Sequence, residues 1–357
     1  MRIAALRRHS LAVAASVLAG CAGAQAPPPL LPSTANRTHD LASYVYVGQC
    51  CNFFNQDVVT VYDLGLTGVA RTITKGVNEP DYVTVDHSGR LYYINWFGSG
   101  VIEYDRGSEK PSRRIKLRGA WAAASDSSNN LYVAACPACV PYQTGRASVD
   151  VYKAGTTKLL RSITKGVDAP VAVAVDTDDN LYVAGGAYTH PAVTVYAPGS
   201  SKPLRTLTKG VTWPTEVALD PSNDVFVLNN PGLNSWSPSI VEYQAASTKV
   251  LRTITDGLSS PQAIAVDGEG TLYAANTPGE SSGWISVYKS GASKPSYEIK
   301  DGVDDPQLIT VDGENNLYVA NNGYSAGTVC VFTAKARRPL RCVQVQDDDA
   351  SSMAAGP

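Results

Sequence analysis

The stretch that decides the architecture runs from Pro170 to Leu207. It reads Pro170-Val-Ala, Val173-Ala-Val-Asp176, a polar Thr-Asp-Asp-Asn turn, Leu181-Tyr-Val-Ala184, a loop, Val193-Thr-Val-Tyr196 and Arg205-Thr-Leu207. Four short apolar or alternating runs separated by turn residues are strand signals, and none is long enough for a helix of ordinary length. The same unit recurs along the chain. The Asp that closes its first strand returns at Asp86, Asp126, Asp220, Asp267 and Asp312, and the next strand begins five residues later, at Leu91, Leu131, Leu181, Val225, Leu272 and Leu317. Asp40 precedes Val45 by the same interval, which defines a seventh unit whose first strand, near residues 36–39, is degenerate.

A repeat of about 45 residues carrying four strands predicts a β-propeller blade, stacked radially so that few sheet edges stay open. The third and fourth strands of each unit form a hairpin of constant length. Its facing residues fall twelve apart: Thr60/Thr72, Ile102/Arg114, Asp150/Ser162, Thr194/Thr206, Val241/Thr253, Ser286/Glu298 and Cys330/Cys342. The fold class expected is therefore all-β, a propeller of seven four-stranded blades over residues 39–345. The weak first strand of unit one leaves six blades plus a partial sheet as the alternative. The units resemble NHL-type repeats and the related propellers marked by a Tyr-Val-Thr-Asn motif, here Tyr318-Val-Ala-Asn-Asn322. That resemblance covers roughly residues 40–345. It implies the fold, while function stays open, because such propellers include sensors, scaffolds, lyases and lactonases.

Composition fits this reading. Nineteen Tyr stand against five Phe and two Met, and charged residues make up only 17% of the chain. The net charge is −2, and removing the three arginines of the first twenty residues leaves −5 on the remainder. Without a basic tract, a nucleic-acid partner is not expected.

The N-terminus carries an address. Arg2, Arg7 and Arg8 precede an apolar run from Leu11 to Leu18, the layout of an export signal and too short to span a bilayer permanently. Leu18-Ala-Gly-Cys21 resembles the bacterial lipobox, which implies residues 1–20 as a lipoprotein signal peptide and Cys21 as the lipidation site; an ordinary secretory signal is the alternative. Ala22 after the Cys implies, by the same resemblance, the outer membrane. The Ala/Pro-rich segment 21–38 reads as a flexible tether, and 346–357 as a disordered acidic tail. Membrane contact is expected through the lipid anchor alone.

Six further cysteines in an oxidising envelope point to disulfides. Cys330 and Cys342 occupy facing hairpin positions and are expected to pair. Cys50-Cys51 and Cys136-Pro-Ala-Cys139 allow a four-thiolate zinc site, but they belong to non-adjacent blades and only one is a CxxC pair, so disulfides are the preferred reading.

In a propeller, the loops entering each first strand and those joining strands two and three share one face. The expected channel-mouth residues are Asp81, Trp121, Val171, Thr215, Gln262 and Gln307, with Glu216 beside Thr215. Loop aromatics around them include Trp96, Phe97, Tyr188, Trp213, Trp236 and Tyr324, interleaved with Asn95, Asn229, Asn230, Asn276, Asn321 and Asn322. Such a surface suits a protein or carbohydrate of the cell envelope. The recurrent Asp residues read as turn caps rather than ligands. His39, His87 and His190 cannot converge into a zinc site, and no Ser-nucleophile elbow is present. No catalytic or metal residue is assigned. A cation-dependent, lactonase-like hydrolase or lyase, with calcium on Asp81, Glu216 and nearby Asn side chains, is the alternative to a binding scaffold without cofactor.

Overall fold

The computed structural model describes residues 43–357 except 50–56, 79, 96–99, 138–146, 188, 232–236, 280–281, 323–326 and 346–349. Among the described residues are twenty-eight strands and no helix, arranged as seven separate four-stranded antiparallel sheets. The chain is a seven-bladed β-propeller.

The fourth blade shows the pattern: β12 (Ala172–Val175), β13 (Leu181–Gly185), β14 (Ala192–Tyr196) and β15 (Pro203–Leu207) pair in order from the channel outward. The other inner strands are β4 (Tyr82–Val85), β8 (Ala120–Ser125), β16 (Pro214–Leu219), β20 (Pro261–Val266) and β24 (Pro306–Val311). All seven outer hairpins adopt the twelve-residue register, Thr60 facing Thr72 and Cys330 facing Cys342 included. Cys330 and Cys342 form a disulfide. Cys136 is also disulfide-bonded, while Cys21, Cys50, Cys51 and Cys139 lie outside the described residues.

The first blade departs from expectation. Its strands β1 (Tyr44–Gln49), β2 (Val58–Asp63) and β3 (Val69–Ile73) receive their inner neighbour from the other end of the chain, β28 (Ala350–Gly356). The expected disordered tail 346–357 is thus corrected over 350–356, a strand with every residue but Ser351 buried; β28 takes the inner place expected for residues 36–39, which lie outside the described residues. Asn322 clamps this strand from the seventh blade, its side chain bonding both the N–H and the carbonyl of Ala350. An open ring would expose two blade faces and an unpaired edge, which is the physical reason to recruit even a weak strand former here.

The core is distributed between blades. Successive side chains of a strand point to opposite faces, so Val45 and Val47 pack toward the seventh blade while Tyr46 packs toward the second. Because both faces are covered, the strands read as near-continuous apolar runs. The excess of Tyr over Phe follows from two repeated bonds. Tyrosines on second strands donate to the turn Asp of their own blade, as Tyr182 does to Asp176 at 2.9 Å. Tyrosines ending third strands donate to a carbonyl of the preceding blade, as Tyr104 does to Lys75 and Tyr196 to Lys165, both at 2.7 Å. A buried phenol needs a hydrogen-bond partner, and the repeat supplies one.

Candidate functional site

The mouth is built on a repeated irregularity at the start of the inner strands. In four of them one residue is inserted against the partner strand, between Ala120 and Ala122, Pro214 and Glu216, Pro261 and Ala263, and Pro306 and Leu308. A bulge turns the extra side chain out of the sheet. The extra residues are Trp121, Thr215, Gln262 and Gln307, and Asp81 and Val171 hold the matching places ahead of β4 and β12. A shift opposite Gln49 gives the seventh member, Ser351 on β28, which the sequence reading missed. All seven are partly exposed except Thr215, which is buried and donates from Oγ1 to the Leu228 carbonyl. Ser351 donates to the Pro80 carbonyl at 2.7 Å, tying first blade to second. Gln307 donates to Asp305 Oδ1 at 2.6 Å, and Gln262 to the Ser260 carbonyl at 3.0 Å.

Two positions before the mouth residue, the backbone is held in the left-handed region in four blades: Gly119 at φ 65°, Ala169 at 38°, Ser260 at 48° and Asp305 at 52°. Three of these carry side chains, so the backbone is strained at the rim of the mouth.

Glu216 lies one residue inside the mouth and is fully buried. Its Oε2 accepts the Ile264 N–H of the adjacent inner strand at 2.7 Å, while Oε1 has no hydrogen-bond partner. Burial holds this carboxyl well above the usual carboxylate range, partly offset by the Ile264 bond. The equivalent residue of the second blade, Tyr82, makes the complementary reach, donating to the Ala123 carbonyl of β8 at 2.9 Å. Desolvation raises Tyr82 strongly, and the Glu216 carboxyl adds to the shift.

The asparagines divide into two structural roles. Asn95, Asn229 and Asn321 close second strands and Asn276 holds the matching place in the longer second strand of the sixth blade; all four are buried and bond into the loop that leads to the inner strand of the same blade, Asn229 Oδ1 accepting from the Thr212 and Trp213 amides. Asn230 and Asn322, one residue on, reach the next blade, Asn230 donating to the Pro261 carbonyl at 2.7 Å. The six asparagines thus fix the mouth loops to one another. Trp96, Phe97, Tyr188, Trp236 and Tyr324 lie outside the described residues, and Trp213 is partly exposed beside Asn229.

The turn Asp residues are caps. Asp176 Oδ1 accepts the amides of Asp178 and Asn180, and Oδ2 accepts from Asn180 Nδ2 and the Tyr182 hydroxyl. His87 sits in one of these turns, on the face opposite the mouth, and His190 in a loop on the mouth side; no cluster of three metal-binding side chains occurs among the described residues.

Comparison with known proteins places the frame and nothing finer. No family model matches the chain, and no curated protein resembles it significantly. Among 1002 solved chains that do match, one belongs to the Kuenenia stuttgartiensis hydrazine synthase, with a TM-score of 0.58 at 17% identity over 71% of this chain and 77% of that one. The likeness is one of fold. At that identity it carries neither activity nor ligand from one protein to the other.

Proposed function

We propose that this protein is a non-enzymatic binding or scaffolding module of the bacterial envelope, exported and held by a lipid on Cys21, that grips a protein or glycan with the mouth residues and the loops around them. One observation carries the reading. Seven equivalent backbone positions bear Asp81, Trp121, Val171, Thr215, Gln262, Gln307 and Ser351, six residue types, while the turn Asp of the frame is the same in six blades. A uniform frame with a non-uniform crown suits one asymmetric ligand, since the crown is where the blades differ. Trp121 and the loop aromatics Trp96, Phe97, Tyr188, Trp213, Trp236 and Tyr324 supply flat apolar surface, and the two glutamines supply amide donors and acceptors.

A pull-down from envelope extract and a glycan array, run with wild type, Trp121→Ala/Gln307→Ala and Trp96→Ala/Trp236→Ala, test this. Lost capture at unchanged melting temperature is expected. Indistinguishable capture by all three overturns the loop-face assignment. Retention of Cys21→Ser in the membrane fraction at wild-type level after a high-salt wash overturns the anchor.

The second reading, a divalent-cation-dependent hydrolase or lyase, draws on the unpartnered Glu216 Oε1. A stoichiometric cation in purified protein that disappears in both Asp81→Ala and Glu216→Gln would favour it.

A further inference from the structure

The outer wall of the ring is not electrically uniform. Outer strands of the third, fourth and fifth blades are β11 (Leu159–Ile163), β15 and β19 (Val250–Ile254). A lysine immediately precedes each one, Lys158, Lys202 and Lys249, and Lys153, Lys165 and Lys209 add to the same side; all six are exposed. None takes part in the ion pairs found among the described residues. Over the three outer hairpins, residues 148–163, 192–207 and 239–254, the only acids are Asp150, which accepts from Ser162, and buried Glu242, paired with Arg252. On the sixth and seventh blades four cations are paired, Lys294 with Asp256, Lys300 with Glu298, Lys335 with Glu269 and Arg338 with Asp301, while Lys289 is not. In a chain with net negative charge, the wall of the third to fifth blades thus carries six exposed lysines outside any ion pair among the described residues.

The same wall exposes large aliphatic side chains. Leu159 is 48% exposed, Leu160 43%, Leu204 54% and Leu251 42%. Leu340 and Val69 repeat the feature on the seventh and first blades, where the neighbouring Arg338 is paired and Arg337 lies over Tyr297.

We propose that the wall formed by the third, fourth and fifth blades docks on an anionic lipid surface, with the lysines at the headgroups and the leucines entering the interfacial layer. This goes beyond membrane contact through the anchor and does not depend on it. Lys and Leu are the pairing found on interfacial membrane-binding surfaces, and long lysine stems let the ammonium stay in the headgroup region above a seated leucine. A protein interface would instead favour Arg and aromatic side chains and avoid Lys. Here the arginines are committed inward, Arg161 over Tyr132, Arg205 over Tyr182 and Arg252 on Glu242, and Tyr152, Tyr196 and Tyr243 are buried. The leucines stand one or two to a blade along a convex wall, which a fluid bilayer can follow and a rigid partner cannot. Side-on docking leaves the mouth free.

The test uses the purified chain carrying Cys21→Ser, so that no acyl chain contributes. Sedimentation with phosphatidylethanolamine/phosphatidylglycerol vesicles should show binding that falls at high salt and is weak on phosphatidylcholine, as screened headgroup attraction requires. Lys158→Glu/Lys202→Glu/Lys249→Glu should lower the partition coefficient on anionic vesicles by about a hundredfold or more, from roughly a tenfold loss per one or two charges removed. The control Lys75→Glu/Lys300→Glu/Arg338→Glu makes the same change in net charge on the opposite side and should retain binding. Leu160→Ser/Leu204→Ser, which alters no charge, should weaken binding several-fold. Circular dichroism of each variant checks the fold. Equal loss in both triple variants, no loss in the wall triple, or capture of an acidic envelope protein by the wall with no vesicle binding would each overturn the proposal.

Discussion

The hydroxyl of Tyr46 donates to the backbone oxygen of Pro357, 311 residues further along the chain, at 3.2 Å. In five other blades the equivalent tyrosine meets the turn Asp of its own repeat, so in the first blade residue 357 stands where a local turn would be. Ring closure is therefore a long-range event. Met353 on β28 is fully buried in the cluster between first and seventh blades.

Met353→Asp should destabilise the protein by roughly 4 kcal/mol or more, because an unpaired charge would enter an apolar contact. Deletion of residues 350–357 should be at least as damaging, and a peptide spanning 348–357 added in trans should restore part of the loss. Urea denaturation followed by circular dichroism reads both effects.

The Cys330–Cys342 disulfide spans a separation of twelve residues on the blade that must hold β28 against the first. Cys342→Ser should cost about 2–3 kcal/mol, mainly through the freed unfolded chain. Adding dithiothreitol to the wild type should lower its melting temperature, and adding it to the variant should lower it much less.

Removing a turn Asp should hurt in proportion to the donors it leaves behind. Asp176→Ala orphans two amides and the Tyr182 hydroxyl, for a loss of roughly 3 kcal/mol. At Asp220 the tyrosine is replaced by Phe226, and burial holds the carboxyl above its ordinary range, partly offset by the Asp224 and Ser222 amides that it accepts. Asp220→Ala should cost about 1 kcal/mol less than Asp176→Ala. Matched denaturation midpoints would show the difference, and an equal loss would argue against the phenol as the discriminating partner.

Glu216 makes stability depend on pH with a definite sign. Its folded pKa is raised by burial, so the stabilisation is complete below the unfolded value near 4.5 and is lost as pH climbs toward the folded value. Glu216→Gln cannot ionise and should hold its stability above pH 5 where the wild type declines, by up to about 1.4 kcal/mol per pH unit. Glu242, pushed up to about 6 chiefly by desolvation, titrates in both proteins and cancels from the comparison. Parallel curves from pH 5 to 8 would mean that Glu216 is already ionised in the folded state.

The repeat was legible because its register is local. Hairpin pairs such as Thr194 and Thr206 are fixed by turn length, and the Asp-to-Leu interval is fixed by the cap. The closing strand was not legible. Ala350-Ser-Ser-Met-Ala-Ala-Gly356 has no β-branched residue, follows three consecutive Asp, and becomes a strand only through a partner some 300 residues away. Missing it meant missing Ser351 at the mouth. The other six mouth positions followed from the turn proline. The roles of Asn229 and Asn321 did not, since an Asn after an apolar strand reads equally well as an exposed loop residue. The lysine wall was hidden for a related reason: Lys158, Lys202 and Lys249 are separated by more than forty residues each and meet only when the blades are stacked.

The mouth position at the head of each inner strand bears on how such a molecule changes. Seven side chains share one backbone setting, and each is anchored in a different sheet. A substitution at Gln262 leaves the scaffolding of Trp121 or Asp81 untouched, so the surface of the crown can drift one spoke at a time while the wheel keeps turning out the same shape.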